Sequence, residues 1–307
     1  MADISAQELS DIYAFAVQLG KDAGRMLLEA AESRYGGGTQ DHQEKESAVD
    51  IVTQTDEDVE AFIKQSILER YPFHKFVGEE TYSKGASKDY LIGGEPTWCV
   101  DPLDVIGVIN APFLRQLFSA CKGKGAFLNE GQQLPLVRNP IPPMPENAPK
   151  GCVFSCEWGK DRRDRPDGNL HRKVESFVNM AAEIGGRNGK GGMVHGVRSL
   201  GSLSATMDLA YCAMGAFDIW WEGGCWEWDV AAGICLLEEA GGLVTTANPP
   251  PDPGTAAIED AKLGSRLYLA IRPAGPSPHE TARQGQERTI REVWHRVRHL
   301  DYSRPGV

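Results

Sequence analysis

The sequence has no long apolar run and no leader-like start. No stretch approaches the roughly 20 apolar residues that span a bilayer, and the opening MADISAQELSDIY lacks the basic-then-apolar order of a secretory signal. We therefore expect no membrane contact and a cytoplasmic location. With 307 residues, of which 41% are hydrophobic, the chain can bury a full core as one large domain or as two closely packed halves.

Paired cysteines and basic clusters are also lacking. The seven cysteines form no CxxC pair and no zinc spacing with histidine, so we expect them to be reduced and mostly buried. The formal net charge of -11 repels nucleic-acid phosphates, which excludes nucleic acid as an expected partner. Clustered carboxylates can nevertheless hold cations, and cations in turn hold phosphate.

Helical and strand patterns alternate along the chain, which predicts helices layered around sheets. The predicted helices cover residues 5–34, 55–70, 170–184, 204–214, 229–240 and 278–300. The predicted strands cover residues 75–77, 97–100, 105–110, a hairpin within 114–127, and then 153–155, 217–221, 243–245 and 267–271. The proline-rich segment Asn139 to Pro149 can continue neither a helix nor a central strand. This segment predicts a boundary between an N-terminal half over 1–138 and a C-terminal half over 150–275. The last segment of the chain is predicted to contain a charged terminal helix within 276–307.

One acidic motif directly follows a predicted strand. Asp101-Pro102-Leu103-Asp104 comes after residues 97–100, and the ends of strands are where sheet proteins commonly place ligands. Pro102 stiffens the turn, so Asp101 and Asp104 can converge while the carbonyl of Leu103 adds a further oxygen. Hard divalent cations require such oxygen ligands. The alternative interpretation is a turn with two solvated aspartates.

Two further acidic motifs occupy comparable positions. Glu79 and Glu80 follow the strand at 75–77, where paired glutamates repel each other unless a cation or a base offsets the repulsion. Asp229 lies at the start of an apolar helix, where a carboxylate is favoured as a cap. Capping alone explains Asp229 without any metal.

Taken together and in this order, the motifs resemble the signature set of the inositol monophosphatase family. They are VDIVTQTD at 49–56, GEE at 78–80, WCVDPLD at 98–104 and WDVAAG at 228–233. The resemblance extends from the first helix to about Ile271. It implies an α+β fold, layered α-β-α-β-α, with metal between its two halves, and it also implies a homodimer, which is common in the family.

The resemblance also implies a set of site residues. Two or three Mg2+ ions would be held by Glu79, Asp101, the carbonyl of Leu103, Asp104 and Asp229. Catalytic roles would fall to Glu79 and Asp104, together with Asp56, which would help to orient an attacking water. Substrate-side roles would fall to Glu222, Ser204 and Lys45, with Glu222 contacting ring hydroxyls. Metal-activated water then hydrolyses the phosphate ester, and no nucleophilic side chain is required.

The sequence departs from the family pattern immediately after Asp104. The family continues with a glycine, threonines and an aromatic residue, and then with further strands, whereas this chain proceeds directly to Val105-Ile106-Gly107. We therefore predict that part of the first sheet is missing. The turn whose backbone N–H groups hold phosphate is predicted to be missing with it.

Three functions are compatible with these observations. The first is Mg2+-dependent hydrolysis of a polyol phosphate such as inositol 1-phosphate. The tryptophan-rich segment 220–228 resembles the fungal quinate-cluster branch of the family, which links this reaction to quinate metabolism. The second is a catalytically impaired member that binds metal or ligand in a regulatory role. The third treats the acidic motifs as caps and turns only, so that substituting Asp101 or Asp229 changes stability and leaves metal affinity unchanged.

Overall fold

The computed structural model describes residues 4–35, 42–44, 51–83, 85, 96–100, 105–158, 161–198 and 205–303. The helices in these ranges are α1 (Ala6–Tyr35), α2 (Gln54–Arg70), α3 (Glu79–Ser83), α4 (Asn169–Ala181), α5 (Ala205–Met214), α6 (Glu227–Glu239) and α7 (Ala282–Trp294). None of the helices described is long and apolar enough to cross a membrane.

Thirteen strands are described in the same ranges. They are β1 (His42–Glu44), β2 (Ile51–Thr53), β3 (Lys75–Gly78), β4 (Thr97–Val100), β5 (Ile106–Ala111), β6 (Gln116–Cys121), β7 (Gly125–Leu128), β8 (Gln132–Gln133), β9 (Val153–Ser155), β10 (Gly196–Arg198), β11 (Ile219–Gly223), β12 (Leu243–Thr245) and β13 (Leu267–Ile271). The predicted strands are confirmed within two residues. The short elements β1, β2, β8, β10 and α3 were not predicted, because two to five residues carry too little periodicity.

The elements form the predicted α-β-α-β-α layers. Helices α1 and α2 pack together on one side, and α1 lies against β5 and β6. Helices α5 and α6 form the central layer, in which α6 contacts both β5 and β12. A five-stranded sheet of order β10-β9-β11-β13-β12 follows, and α7 covers its outer face through β13. The β5–β8 sheet and the five-stranded sheet therefore each lie between helices, as layered folds require.

The first sheet layer is divided in two among the strands described. Strands β3 and β4 form a parallel pair, while β5 to β8 form a separate antiparallel sheet. Both β4 and β5 contact α6, so the two parts lie in one layer. This arrangement agrees with the prediction that part of the first sheet is missing.

Local capping decides where the outer helices begin. The hydroxyl of Ser5 accepts a hydrogen bond from the backbone N–H of Glu8 at 3.2 Å, which caps α1. Helix α7 is shorter than predicted at both ends. It starts after Thr281, because Thr281 and Gln284 cap each other reciprocally, and it ends at Trp294.

The proline-rich segment 139–149 contains neither helix nor strand, as predicted, but it is firmly attached to the C-terminal half. The guanidinium of Arg272 donates to the carbonyls of Pro142 and Pro143, at 3.0 and 2.9 Å. Met144 and Ala148 are buried in the same core as α7. A second core joins Phe118 and Leu128, from before this segment, to side chains of α5 and α6 from after it. The division into two halves stays a prediction.

Candidate metal and substrate site

Four of the predicted site residues fall within the described ranges. They are Asp56, Glu79, Glu222 and Asp229. The others, Lys45, Asp101, Leu103, Asp104 and Ser204, lie outside the described residues. Within the described part of the chain, no three histidine, cysteine, aspartate or glutamate side chains are grouped closely enough to hold a metal. The described portion of the predicted cage is therefore Glu79 and Asp229.

Glu79 lies at the carboxyl end of a parallel strand pair. Strand β3 runs parallel to β4, and Gly78 pairs with Val100. Glu79 follows Gly78 in the chain, and Asp101 follows Val100. The carboxyl ends of parallel strands share one edge of a sheet, which is a common position for ligands. The register thus sets the start of the Glu79 turn beside the strand that leads into the second acidic motif.

A buried glutamate on α2 holds the Glu79 turn in place. The carboxylate of Glu60 accepts hydrogen bonds from the backbone N–H groups of Glu80, at 2.7 Å, and of Thr81, at 2.8 Å. It thereby caps the first turn of α3, and a Cβ atom at Gly78 would lie 2.4 Å from its carboxyl carbon. Only glycine at position 78 permits this approach. Sequence reasoning missed Glu60, although a glutamate beside the apolar positions of a predicted helix was an available signal.

Asp229 caps the helix that it belongs to. Trp226 is the N-cap of α6, and the Asp229 carboxylate at the third helical position accepts the backbone N–H of Trp226 at 2.7 Å. The hydroxyl of Thr206 donates to the Asp229 carbonyl at 2.7 Å and fixes this turn against α5. Capping by Asp229 was the structural alternative raised from the sequence, and it is present here. The cap engages the Oδ2 atom of the Asp229 carboxylate.

An aromatic cluster joins the Glu79 turn to the Asp229 helix. The ring of Tyr82, on α3, lies 5.6 Å from the ring of Trp226 and 4.9 Å from that of Trp228. Trp226 and Trp228 stack with a centroid distance of 5.3 Å. Val77 and Cys99, from β3 and β4, pack against the same rings. Two motifs separated by almost 150 residues are thereby brought to one place.

Asp56 is exposed in the first turn of α2. The helix begins at Gln54, one residue earlier than predicted, and Gln54 donates to the carboxylate of Asp58 at 2.9 Å. Asp58 is therefore engaged by Gln54, four residues earlier. Asp56 lies on the same helix as Glu60, which connects it to the Glu79 turn through a single rigid element.

The chemistry of these donors fits a hard divalent cation. Glu79 and Asp229 offer carboxylate oxygens, and the acidic motif that follows Val100 adds oxygens in sequence. The cysteines do not compete as soft ligands. Of the seven cysteines, all within the described residues, six are buried and Cys99 is half-buried, which agrees with the prediction of mostly buried thiols; their reduced state stays a prediction. Oxygen-only donor sets select Mg2+ or Ca2+ over zinc and copper.

Glu222 is buried in a polar cluster of the second sheet. Its side chain is 2% exposed, and the ammonium group of Lys173, which is also 2% exposed, donates to its Oε1 atom. The backbone N–H of Gly223 donates to the same oxygen at 2.9 Å, and that of Glu157 donates to Oε2 at 2.8 Å. Burial alone lowers the pKa of Lys173, but the Glu222 carboxylate more than offsets this and leaves that pKa raised. Both oxygens of Glu222 are engaged by the protein, and its contact with a ring hydroxyl stays a prediction.

Asp208 completes this polar cluster. It is fully buried, and its carboxyl group lies 3.3 Å from the Ser155 hydroxyl and 3.1 Å from the indole N–H of Trp220. Burial, together with the negative charges of Glu157 and Glu222, raises the pKa of Asp208 to about 8. The group is therefore mainly protonated at neutral pH. The sequence gave no sign of the protonation state of Asp208.

The layered fold with carboxylates at strand and helix ends defines a class of protein. The chain is similar to the solved structure of an inositol monophosphatase from Anabaena (Nostoc) sp., with a TM-score of 0.59, 22% identity, and coverage of 95% of this chain and 98% of that one. The model of the inositol monophosphatase family matches residues 8–104 and 105–298. The chain belongs to the inositol monophosphatase family. Membership supports a phosphatase, and thus a hydrolase.

Two fungal relatives are much closer in sequence. The chain is 66% identical to quinic acid degradation cluster protein x of Neurospora crassa, over 99% of this chain and 98% of the relative. It is 64% identical to protein qutG of Emericella nidulans, over 98% of each. These similarities confirm the resemblance to the fungal quinate-cluster branch.

The comparisons also bear on the junction after Asp104. The family match is interrupted between residues 104 and 105. The alignment with the Neurospora protein runs over 339 positions, whereas this chain has 307 residues, so at least 32 aligned positions (339 against 307) contain no residue of this chain. Both observations agree with a block that the relatives contain and this chain lacks.

Proposed function

We propose that the protein hydrolyses a phosphate monoester of a polyol, such as inositol 1-phosphate, in a Mg2+-dependent reaction. The observation that carries the proposal is the packing of Tyr82 on Trp226 and Trp228, which unites the Glu79 and Asp229 motifs of a phosphatase family. The proposed location is the cytoplasm, and the proposed assembly is a homodimer.

The proposed metal site holds two or three Mg2+ ions. Its ligands would be Glu79, Asp101, the carbonyl of Leu103, Asp104 and Asp229. Mg2+ bound at this site would lower the pKa of a coordinated water and would neutralise negative charge on the phosphate group. The chain's own contribution is positional. Glu60 fixes the backbone of the Glu79 turn, Asp229 keeps its helix start closed by capping, and Asp56 would orient the attacking water from the first turn of α2.

The substrate side would be formed by Glu222, Ser204 and Lys45. The buried Lys173 holds the Glu222 side chain in one orientation, which suits a residue that must accept hydrogen bonds from hydroxyl groups. The names of the two fungal relatives favour a substrate connected with quinate, itself a hydroxylated ring. We therefore include phosphates of cyclic polyols other than inositol among the proposed substrates.

The interruption at 104 and 105 favours a second candidate function. A chain without the Gly-Thr phosphate-binding turn would retain metal or ligand binding in a regulatory role and lose turnover. Removing one preorganised oxyanion donor typically lowers the rate by about 100- to 1000-fold, and the missing block would remove several such groups at once. Under this alternative, Mg2+ stabilises the protein without phosphate release.

A restored chain separates the two candidates. We expect the chain with the Neurospora segment inserted between residues 104 and 105 to release phosphate from a panel of polyol phosphates, and only with Mg2+ present. The natural chain is assayed in parallel over the same panel. Turnover by both chains supports catalysis as the native function, and turnover by the restored chain alone supports the second candidate. If neither chain releases phosphate, the proposed hydrolysis is wrong.

The substitution Asp229→Asn tests whether Asp229 does more than cap its helix. The asparagine oxygen can still accept the N–H of Trp226, so the cap is kept while the charge is lost. We expect little change in Tm without metal and loss of most of the Mg2+-dependent rise in Tm. An equal Mg2+-dependent rise in the variant and the parent would support the reading of the motif as a cap alone.

A further inference from the structure

The chain beyond α7 returns to the end of strand β11, and we call residues 300–303 the C-terminal strap. Two asparagine side chains bind its backbone. Asn248 accepts the backbone N–H of Leu300 at 2.8 Å and donates to the carbonyl of Leu300 at 2.9 Å. Asn169 accepts the N–H of Asp301 at 2.7 Å and donates to its carbonyl at 2.8 Å. The C-terminal strap is therefore fixed both to the start of α4 and to the segment that follows β12.

The ring of Tyr302, in the C-terminal strap, lies on the two glycines that follow Glu222. A Cβ atom at Gly223 would lie 2.9 Å from Cδ2 of Tyr302, and a Cβ atom at Gly224 would lie 2.8 Å from Cε1. A side chain at either position would therefore displace the ring. The backbone N–H of Gly223 donates to the Glu222 carboxylate. The ring thus packs against the residue whose backbone binds that carboxylate.

The same ring lies beside the buried ion pair. The ammonium group of Lys173, which donates to Glu222, is 6.0 Å from the centroid of the Tyr302 ring. Aromatic faces attract cations at about this distance. Tyr302 is half-buried, and its hydroxyl oxygen accepts the backbone N–H of Asp161 at 3.4 Å. Tyr302 is therefore connected to Glu222 through two neighbours, Gly223 and Lys173.

Arg266 connects the C-terminal strap to the start of α6. Its guanidinium donates to the carbonyl of Ser303 at 3.3 Å and to the carbonyl of Gly224 at 2.7 Å. The guanidinium carbon lies 3.8 Å from the ring centroid of Trp226, the N-cap of α6. The backbone of Arg266 has a φ of +61°, a region in which residues other than glycine are uncommon and are stabilised by their surroundings. One buried side chain thus joins the C-terminal strap to the connection between β11 and α6.

We propose that Tyr302 is a positioning residue of the substrate side, which fixes the connection after Glu222 and thereby sets the orientation in which Glu222 meets the hydroxyl groups of a polyol. This inference rests on the proposed function, which supplies the polyol phosphate as the ligand. Hydrogen bonds are directional, so a small rotation of the Glu222 carboxylate changes polyol affinity. Tyr302 acts through Gly223 and Lys173, whereas the start of α6 is still held by Arg266 when the ring is removed.

The test compares Tyr302→Ala with Tyr302→Phe in the full chain. Isothermal titration measures the Kd of inositol 1-phosphate at saturating Mg2+, and the Kd of Mg2+ alone. We expect Tyr302→Ala to weaken inositol 1-phosphate binding at least about tenfold and Mg2+ binding less than about twofold. Tyr302→Phe keeps the ring and is expected to match the parent chain. If the chain hydrolyses the ligand, KM and kcat are measured instead, and the change is expected in KM.

Tyr211→Ala is the matched control. Tyr211 is also half-buried, but its ring packs on Phe118 of the first sheet layer, 6.2 Å between centroids. We expect this variant to bind both inositol 1-phosphate and Mg2+ as the parent chain does. It separates the effect of Tyr302 from a general loss of aromatic packing.

Hydrogen–deuterium exchange of residues 219–226 gives a second readout, which needs no ligand. This segment contains the Gly223 N–H that binds Glu222. We expect exchange there to be at least about tenfold faster in Tyr302→Ala, because local opening becomes easier when packing is lost. Exchange at the parent rate is expected in Tyr302→Phe and in Tyr211→Ala.

Three results would overturn the proposal. The first is exchange at the parent rate in Tyr302→Ala, and the second is an equal loss of inositol 1-phosphate and Mg2+ binding in that variant. The third is an equal loss of inositol 1-phosphate binding in Tyr211→Ala. If the parent chain binds no polyol phosphate while exchange in Tyr302→Ala rises as expected, the proposed function is wrong and the ordering of this connection by Tyr302 is supported.

Discussion

The ring of Tyr82 lies 4.9 Å from the ring of Trp228, and this contact joins the two acidic motifs that the sequence keeps far apart. Tyr82 is on α3, three residues after Glu79, and Trp228 directly precedes Asp229. The aromatic contact packs the helix that begins with Glu79 against the start of the helix that contains Asp229. Such pairs contribute about 0.5–1.5 kcal/mol beyond their buried area.

Removing the Tyr82 ring is expected to weaken metal binding. Tyr82→Ala loosens α3 against Trp226 and Trp228, so Glu79 is held less firmly relative to Asp229. We expect Mg2+ affinity, measured by the dependence of Tm on Mg2+, to fall about tenfold for a loss of about 1.4 kcal/mol. Tyr71→Ala is the control, because Tyr71 is also half-buried and packs on Phe15 and Trp98. Equal loss of Mg2+ affinity in both variants would show that Tyr82 acts through general stability alone.

Glu60 provides a second test of the same turn. Glu60→Gln keeps the size of the side chain but replaces one of its two acceptor oxygens with an NH2 group, so one of the backbone N–H groups of Glu80 and Thr81 faces another donor. We expect a loss of about 1–3 kcal/mol in the free energy of unfolding, measured in urea, because that donor loses its acceptor. Mg2+ affinity is expected to fall as well. The control is Glu69→Gln on the exposed side of α2, and an unchanged stability in Glu60→Gln would contradict the role of the cap.

The Lys173–Glu222 ion pair predicts strong coupling between two buried charges. Lys173→Met leaves the Glu222 carboxylate buried without its cation, and we expect a loss of about 3–5 kcal/mol of unfolding free energy. Adding Glu222→Gln to this variant is expected to recover much of that loss, because the remaining charge is removed. A double-mutant cycle measured by urea denaturation gives the coupling energy. Additive effects of the two substitutions would show that the charges do not interact.

Asp208 predicts a specific pH dependence of stability. Its pKa is raised to about 8 in the folded protein, against an ordinary value of 3.8. Between these values the folded state holds a proton that the unfolded state has released. The free energy of unfolding therefore falls as pH rises from about 4 to about 8, by up to about 1.4 kcal/mol per pH unit.

The substitution Asp208→Asn tests this dependence. Asparagine keeps an oxygen for the Trp220 N–H and a donor for the Ser155 hydroxyl, and it cannot ionise. We expect higher stability than the parent at pH 8 and a smaller fall between pH 4 and pH 8, measured by thermal unfolding across that range. Asp260→Asn is the exposed control. A slope equal to that of the parent chain would mean that Asp208 does not retain its proton in the folded state.

Local pattern was sufficient for most of the secondary structure. Strands β12 and β13 were predicted residue by residue, because short apolar runs bounded by turn residues report a buried strand directly. Helix α7 was overextended, since the reciprocal cap of Thr281 and Gln284 competes with an equally acceptable start at Pro278. Helix α3 was missed because its five residues depend on the cap supplied by Glu60, 20 residues earlier in the chain.

The sequence by itself determined the family, the layered fold and the order of the acidic motifs, because these are properties of residue types and their spacing along one dimension. It also located the break after Asp104. Only the tertiary structure decided that Tyr82 connects the Glu79 and Asp229 motifs, that Lys173 neutralises Glu222, and that Asp208 is buried with a raised pKa. These are contacts between residues distant in the chain, and their strength depends on burial. Neither property can be read from local sequence.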